Sequence, residues 1–527
     1  MITGKNYIGE KLSSQGKKIF KTFNPILNLE NEWEFVEATE EEINEAVALA
    51  WSAYKLFQNI PGKQKGNFLR QIAYEIEALG DKLIKVYCKE TGLPEGRAKG
   101  ECGRTCFQLR TFADLVEKGD WVNAVIDTAD KNRKPAPKPD LRKMSVPIGP
   151  IAVFGASNFP LAYSTAGGDT ASAFASGCPV IVKSHPMHAG TGELVASAII
   201  KAAQTTKMPN GVFSNLNSSG IEVGQQLVKH SNIKGIGFTG SINGGRALYD
   251  MASQRKEPIP VFAEMGSINP VILLPKALEK KGSDWAKTYA SSITLGTGQF
   301  CTNPGLLLGI ESDSLNNFIR TLSEEIINIA PSCMLNPDII SRYRKSKSNM
   351  ITESHVSIVA DYEDRVEKNY AKQTVVTVSG QSFLKNKNLQ HEVFGPFSMI
   401  VKCKDAHQLE MVINSLEGQL TGTLISEEGE LEGYAAIINA MKNKVGRLIF
   451  NGVPTGVEVC PSMQHGGPYP ASTDSRFGAV GIHAIERWVR PVSYQNWPNQ
   501  LLPDALKNEN PLGIQRVIDG STTLSVI

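Results

Sequence analysis

Apolar side chains in the first third of the chain recur at helical spacing. Thr39-x-x-Glu42 forms a capping box, and Ile43, Ala46, Val47 and Ala50 then share one face, so a helix opens at Thr39. Helical spacing continues from Leu69 to Tyr87 and again from Arg104 to Val116. Between Ile126 and Pro147 the character changes. The stretch DKNRKPAPKPDLRKM holds three prolines and many charges, which a core element cannot accommodate. It predicts an exposed excursion, either a linker or an arm that reaches a partner subunit.

Beyond it the pattern alternates. Ile151–Phe154, Pro179–Lys183, Gly211–Leu216, Ile236–Thr239 and Val261–Glu264 read as strands. Ala171–Ser176, Leu194–Ala203, Val223–Lys229 and Gly245–Ala252 read as helices. This rhythm predicts a parallel sheet covered on both faces, with ligands bound outside the carboxyl ends of its strands. Residues 450–478, FNGVPTGVEVCPSMQHGGPYPASTDSRFG, are rich in Gly and Pro and nearly free of periodicity. Loops of that length are uncommon unless functional.

Composition narrows the classes. A chain of 527 residues exceeds what one hydrophobic core supports, so at least two domains are expected. A net charge of +2 gives no electrostatic case for nucleic acid or an anionic membrane. No apolar run approaches the ~20 residues needed to cross a bilayer, and the N-terminus has no apolar signal core. Eight scattered cysteines in a long chain point to reduced thiols and a cytoplasmic setting, not to a disulfide framework. Cys102 and Cys106 lack zinc spacing. His185 and His188 lack a third ligand, so KSHPMH reads as a solvated loop and no metal is expected.

Two segments carry candidate chemistry. GIGFTG at Gly235–Gly240 matches GxGxxG, ends a predicted strand and leads into a helix, the context in which backbone N–H groups and the helix dipole meet a phosphate. An ordinary Rossmann reading makes Glu264 the ribose-binding acid. GQFCTNPG at Gly298–Gly305 presents Cys301 on irregular backbone among Gly, Gln, Thr, Asn and Pro, where a thiolate is a strong nucleophile.

Together SNFP (Ser157–Pro160), VIVK (Val180–Lys183), GFTGS (Gly237–Ser241), EMGSINP (Glu264–Pro270), GQFC (Gly298–Cys301) and EVFGP (Glu392–Pro396) resemble the aldehyde dehydrogenase superfamily, in its order and spacing across nearly the whole chain. The resemblance implies that Cys301 attacks an aldehyde carbonyl and that Asn158 donates to the resulting oxyanion. It makes Glu264 the base that activates water against the thioester, in place of the ribose ligand. Lys183, Gly240, Ser241 and Glu392 are then cofactor contacts. Relatives that prefer NAD carry a glutamate three residues after this lysine. Here that position is Pro186, and Lys183 with His185 favours a 2′-phosphate, so NADP is expected with NAD tolerated.

The block at 452–481, with FGASNFPLAYSTAGGDTASAFASGCPV and ECGRTCFQLRTFA, resembles the branch that contains 2,5-dioxovalerate (α-ketoglutarate semialdehyde) dehydrogenases. Fatty aldehyde dehydrogenases are close neighbours of that branch. A substrate with a remote carboxylate needs a cation in the tunnel, and Arg104, with Arg110 second, is the expected anchor. Intact Cys301, Asn158 and Glu264 argue against a non-catalytic homologue, and Glu264 argues against CoA acylation. One departure is Ser267, where the family usually has Gly. The expected fold is α/β with a Rossmann-like cofactor domain (1–125 and 147–265) and an α/β catalytic domain (266–485). Residues 126–146 and 486–527 should form a small β oligomerisation arm of a homodimer or homotetramer.

Overall fold

The capping box at Thr39 is formed in both directions. The Glu42 N–H donates to Thr39 Oγ1 at 3.2 Å, and the Thr39 N–H donates to Glu42 Oε2 at 2.9 Å. The helix Glu40–Phe57 that follows buries Ile43, Ala46, Val47 and Ala50, the face that the spacing predicts. The structure, a computed structural model, describes residues 2–527. The run from Leu69 to Tyr87 is not one helix. Gly62–Ala78 ends and Asp81–Thr91 begins across Gly80, whose φ of +53° is a left-handed conformation through which no helix continues. Glu95–Lys118 is a single helix that contains the predicted Arg104–Val116 segment.

The first large sheet has the order Val261–Glu264, Gly235–Thr239, Ile151–Phe154, Val180–Lys183, Phe213–Leu216, Asn6–Ile8, Lys11–Ser13. The first five strands pair in parallel, and the two N-terminal strands add to one edge antiparallel. From the central strand Ile151–Phe154 the chain steps outward to one side, then returns to fill the other. That reversal opens a crevice at the carboxyl ends of Ile151–Phe154 and Gly235–Thr239. Helix packing closes the other side of the layer. Phe57, Phe68 and Phe174 meet with ring centroids 5.2–6.4 Å apart, and burying each contributes about 1.5–3 kcal/mol.

The second large sheet runs Ser357–Asp361, Thr374–Ser379, Phe397–Cys403, Leu306–Ile310, Val271–Leu273, Gln419–Ile425, Val445–Phe450, with only the first strand antiparallel. A third sheet of five strands joins Val489–Gln495, Leu141–Pro147, Val125–Asp127, Arg516–Ile518 and Ser521–Thr523. The Pro-rich stretch is the exposed tip between Val125–Asp127 and Leu141–Pro147. Ile126, Leu502, Leu506 and Ile514 give this arm its own small core.

The two large sheets contribute opposite strand ends to the region between them. Lys183 and Glu264 close strands of the first sheet, whereas Cys301 and Glu392 precede strands Leu306–Ile310 and Phe397–Cys403 of the second.

Candidate active site

Cys301 lies in the turn between Leu295–Gly298 and the strand Leu306–Ile310. This backbone packs against the FGP segment so closely that a Cβ on Gly298 would sit 2.2 Å from the Gly395 carbonyl, and Gly298 also takes φ +65°. Only glycine fits there, which physically links the GQFC and EVFGP motifs. Asn269 fixes the turn from the other side. Its Nδ2 donates to the carbonyls of Cys301 and Asn303, both at 2.9 Å.

Asn158 donates from Nδ2 to the Gln299 carbonyl at 3.1 Å, which sets its amide beside the nucleophile turn. The loop carrying it is held by a buried acid. Glu101 Oε1 accepts from the N–H groups of Leu161 and Ala162 at 2.8 and 2.9 Å, while the Tyr87 hydroxyl donates to Oε2 at 2.7 Å. Glu264 is buried, and neither carboxylate oxygen has an aligned hydrogen-bond donor. Burial pushes the Cys301 thiol well above its ordinary range, the Glu264 charge adds to this, and Arg104 opposes it.

One residue here had no assigned role in the sequence. His465, 1% exposed, comes from the long Gly/Pro-rich loop. Its Nε2 lies 3.6 Å from Cys301 Sγ and 3.1 Å from Glu264 Oε1. Donor atoms of Glu264, Cys301 and His465 all fall within 4.8 Å of one another. The signal that could have found it is the single histidine in a loop too long to be a mere connection. Glu101 and Asn269 were also without roles, since a structural acid and a turn asparagine leave no periodic trace.

Phe159, Tyr163, Phe300, Val459, Ala479 and Val480 form an apolar wall beside these groups. The Arg97 guanidinium sits between the Phe159 and Phe300 rings, 4.3 and 4.7 Å from their centroids. Arg104 donates from Nη2 to the Tyr163 hydroxyl at 2.9 Å and, among the described residues, pairs with no carboxylate; its Nε is buried without a partner. Arg110 is not brought here. It forks onto Glu77 at 2.8 and 2.6 Å on an exposed helix face, because six residues further along the helix its side chain points the other way.

After the strand Gly235–Thr239, Gly240 and Ser241 are exposed at the N-terminus of helix Ile242–Ser253, with Ser241 Oγ accepting from the Gly244 N–H at 3.2 Å. A Cβ on Gly240 would strike the Phe238 ring at 2.6 Å, so the turn needs glycine. Burial lowers the Lys183 ammonium to about 8, with Glu37 opposing. Burial raises the Glu392 carboxyl to about 7, with the Ser267 N–H opposing. His185, the second expected phosphate contact, is half-buried. Burial holds it well below its ordinary range, His188, Lys183 and Arg342 add to the effect, and its Nδ1 accepts from the Met187 N–H at 3.3 Å. KSHPMH is not a solvated loop either. His188 is buried, donates from Nε2 to the Ala156 carbonyl at 2.8 Å and stacks on His185.

Ser267, at the family's usual glycine position, is integrated. Its hydroxyl lies 2.9 Å from Gln419 Oε1 and 3.0 Å from Asn269 Oδ1, and it accepts from the Leu420 N–H at 3.0 Å.

The model of the Aldehyde dehydrogenase family matches residues 12–490. The chain belongs to that family. Members of it use NAD or NADP. An alpha-ketoglutaric semialdehyde dehydrogenase of Acinetobacter baylyi is 44% identical over 490 residues, 93% of each chain. Alpha-ketoglutaric semialdehyde dehydrogenase 2 of Azospirillum brasilense is 44% identical over 520 residues, 98% of this chain and 99% of its own. The fold is similar to that of betaine aldehyde dehydrogenase from Staphylococcus aureus in complex with NAD+, with a TM-score of 0.79 at 18% identity over 94% of this chain and 97% of that one. Among the described residues, no helix of this family member is long and apolar enough to cross a membrane.

Proposed function

We propose that this enzyme oxidises 2,5-dioxovalerate (α-ketoglutarate semialdehyde) to 2-oxoglutarate, preferring NADP and accepting NAD. The observation that carries the reading is the convergence of the Cys301 sulfur and the Glu264 carboxylate beside the Asn158 turn, next to an Arg104 that has no acidic partner. The names of the two relatives at 44% identity support the substrate.

The Cys301 sulfur adds to the aldehyde carbon. The Asn158 amide donates to the oxyanion that forms, a contact of a kind worth about 3–4 kcal/mol of barrier. Arg104 holds the remote carboxylate and so fixes which end of the substrate meets the sulfur. A bound nicotinamide cofactor supplies the hydride acceptor. Lys183, Gly240, Ser241 and Glu392 hold that cofactor, and the free N–H groups at the helix start suit its pyrophosphate. Glu264 then takes a proton from the water that hydrolyses the thioester. Pro186 offers no carboxylate to repel a 2′-phosphate, which supports NADP; Lys183, with His185 beside it, supplies the attraction. The arm formed by 126–146 and 486–527 joins copies into a dimer or tetramer, and the eight free cysteines fit the cytoplasm.

Initial rates with NAD and NADP against 2,5-dioxovalerate, succinate semialdehyde and a long-chain aldehyde test this. The oxo acid should give the highest kcat/KM. A long-chain aldehyde that wins by tenfold, about 1.4 kcal/mol, overturns the assignment.

A further inference from the structure

His465 has no part in the reading above, yet it is the side chain best placed to take a proton from the nucleophile. A buried thiol is a poor nucleophile, and attack requires its proton to leave. Glu264 is the alternative acceptor, but it must be unprotonated later to activate water. The ring nitrogen Nε2 of His465 lies 3.6 Å from Cys301 Sγ and 3.1 Å from Glu264 Oε1. The ring is enclosed and, among the described residues, its Nδ1 has no partner, so Nδ1 can carry the ring proton and leave the Nε2 lone pair to the thiol. Groups facing it are Cys301, Glu264 and the Tyr163 ring at 6.0 Å. Asp474 and Arg487 line the same cleft but are paired with Arg476 and Asp169.

We propose that His465 is a catalytic residue, the base that accepts the Cys301 thiol proton as the sulfur attacks. This rests on the dehydrogenase reading above. The S–H bond breaks and an Nε2–H bond forms. The sulfur bonds to the carbonyl carbon, and the carbonyl π pair moves to oxygen beside Asn158. Neutral thiol, imidazole and aldehyde thus become an oxyanion and an imidazolium, and the imidazolium lies against the Glu264 carboxylate, which stays free for water. When hydrolysis later expels the thiolate, the imidazolium returns the proton. One nitrogen thereby separates the proton of the first half-reaction from that of the second.

The test uses the full-length enzyme. Iodoacetamide alkylation of Cys301 and the pre-steady-state burst of reduced cofactor are followed from pH 6 to 9.5 for wild type, His465→Gln and His465→Asn, with cofactor binding as the check on folding. The variants should show a burst slowed by roughly a hundredfold and an alkylation profile moved upward by about one pH unit or more. Unchanged profiles in folded variants overturn the proposal. So does a wild-type Cys301 that is alkylated at pH 7 no faster than glutathione, a result that needs no variant. If no aldehyde is oxidised but the alkylation shift persists, the dehydrogenase reading fails and the Cys301–His465 proton transfer stands.

Discussion

Asn269 donates to the carbonyl oxygen of Cys301 at 2.9 Å, so the loop leaving the Glu264 strand directly holds the turn of the nucleophile. The Asn269 side chain is itself oriented by Ser267 and by the Thr421 hydroxyl, each 3.0 Å from its Oδ1. Ser267→Gly removes the acceptor of the Leu420 N–H and loosens that chain of bonds. It should lower stability by about 1–3 kcal/mol and reduce kcat several-fold with little change in cofactor affinity, as read by thermal denaturation and steady-state kinetics.

Glu264→Gln should separate the two halves of the reaction. The thioester still forms, so a burst of reduced cofactor of about one equivalent per active site remains. Turnover falls by roughly 10²–10⁴-fold, because the amide cannot take the proton of water. Stopped-flow absorbance distinguishes this from loss of cofactor binding, the outcome expected had Glu264 been the ribose acid.

Arg104→Leu removes the unpaired cation from the tunnel wall. The KM for 2,5-dioxovalerate should rise by roughly ten- to a hundredfold, the worth of a charge-assisted hydrogen bond pair, while an uncharged aldehyde of similar length is little affected. Arg110→Leu loses only an exposed pair with Glu77 and should leave both values unchanged, since surface ion pairs contribute about 0–1 kcal/mol.

Glu392 gives a pH dependence. Burial raises its carboxyl to about 7, so in the free enzyme it is neutral below that pH and ionised above it. A ribose hydroxyl pair is best accepted by the ionised form. Cofactor affinity should therefore strengthen as pH rises, by roughly tenfold between pH 6 and 8. Fluorescence titration of Glu392→Gln should lose this rise, leaving only the weakening expected as the Lys183 ammonium deprotonates near pH 8.

The first large sheet was legible because its signals are local. Each strand from Ile151–Phe154 to Val261–Glu264 is a short apolar run between turn residues, and the structure has all five. The break at Gly80 was missed because a single glycine does not interrupt the helical spacing on either side of it. The motif residues Cys301, Glu264 and Asn158 could be named, but the cleft they share depends on contacts between distant parts of the chain, such as Asn158 with Gln299, 141 positions away. His465 was overlooked for the same reason: the long loop flags it only weakly, and its meaning lies in Cys301 and Glu264, both far away in the chain. Arg110 misled because sequence distance along a helix hides direction, and only the Glu77 contact shows which way it points.

The opposed strand ends of the two large sheets have an outcome for how this enzyme fails and evolves. The first sheet carries Glu264 and the turn at Gly240, the second leads from Cys301, and neither holds the whole cluster. Disturbing the contact between the two sheets should therefore abolish turnover and, because one buried cluster spans both, lower the thermal midpoint as well. The same division lets the sulfur-bearing lobe and the long loop drift toward new aldehydes without disturbing the grip on the coenzyme.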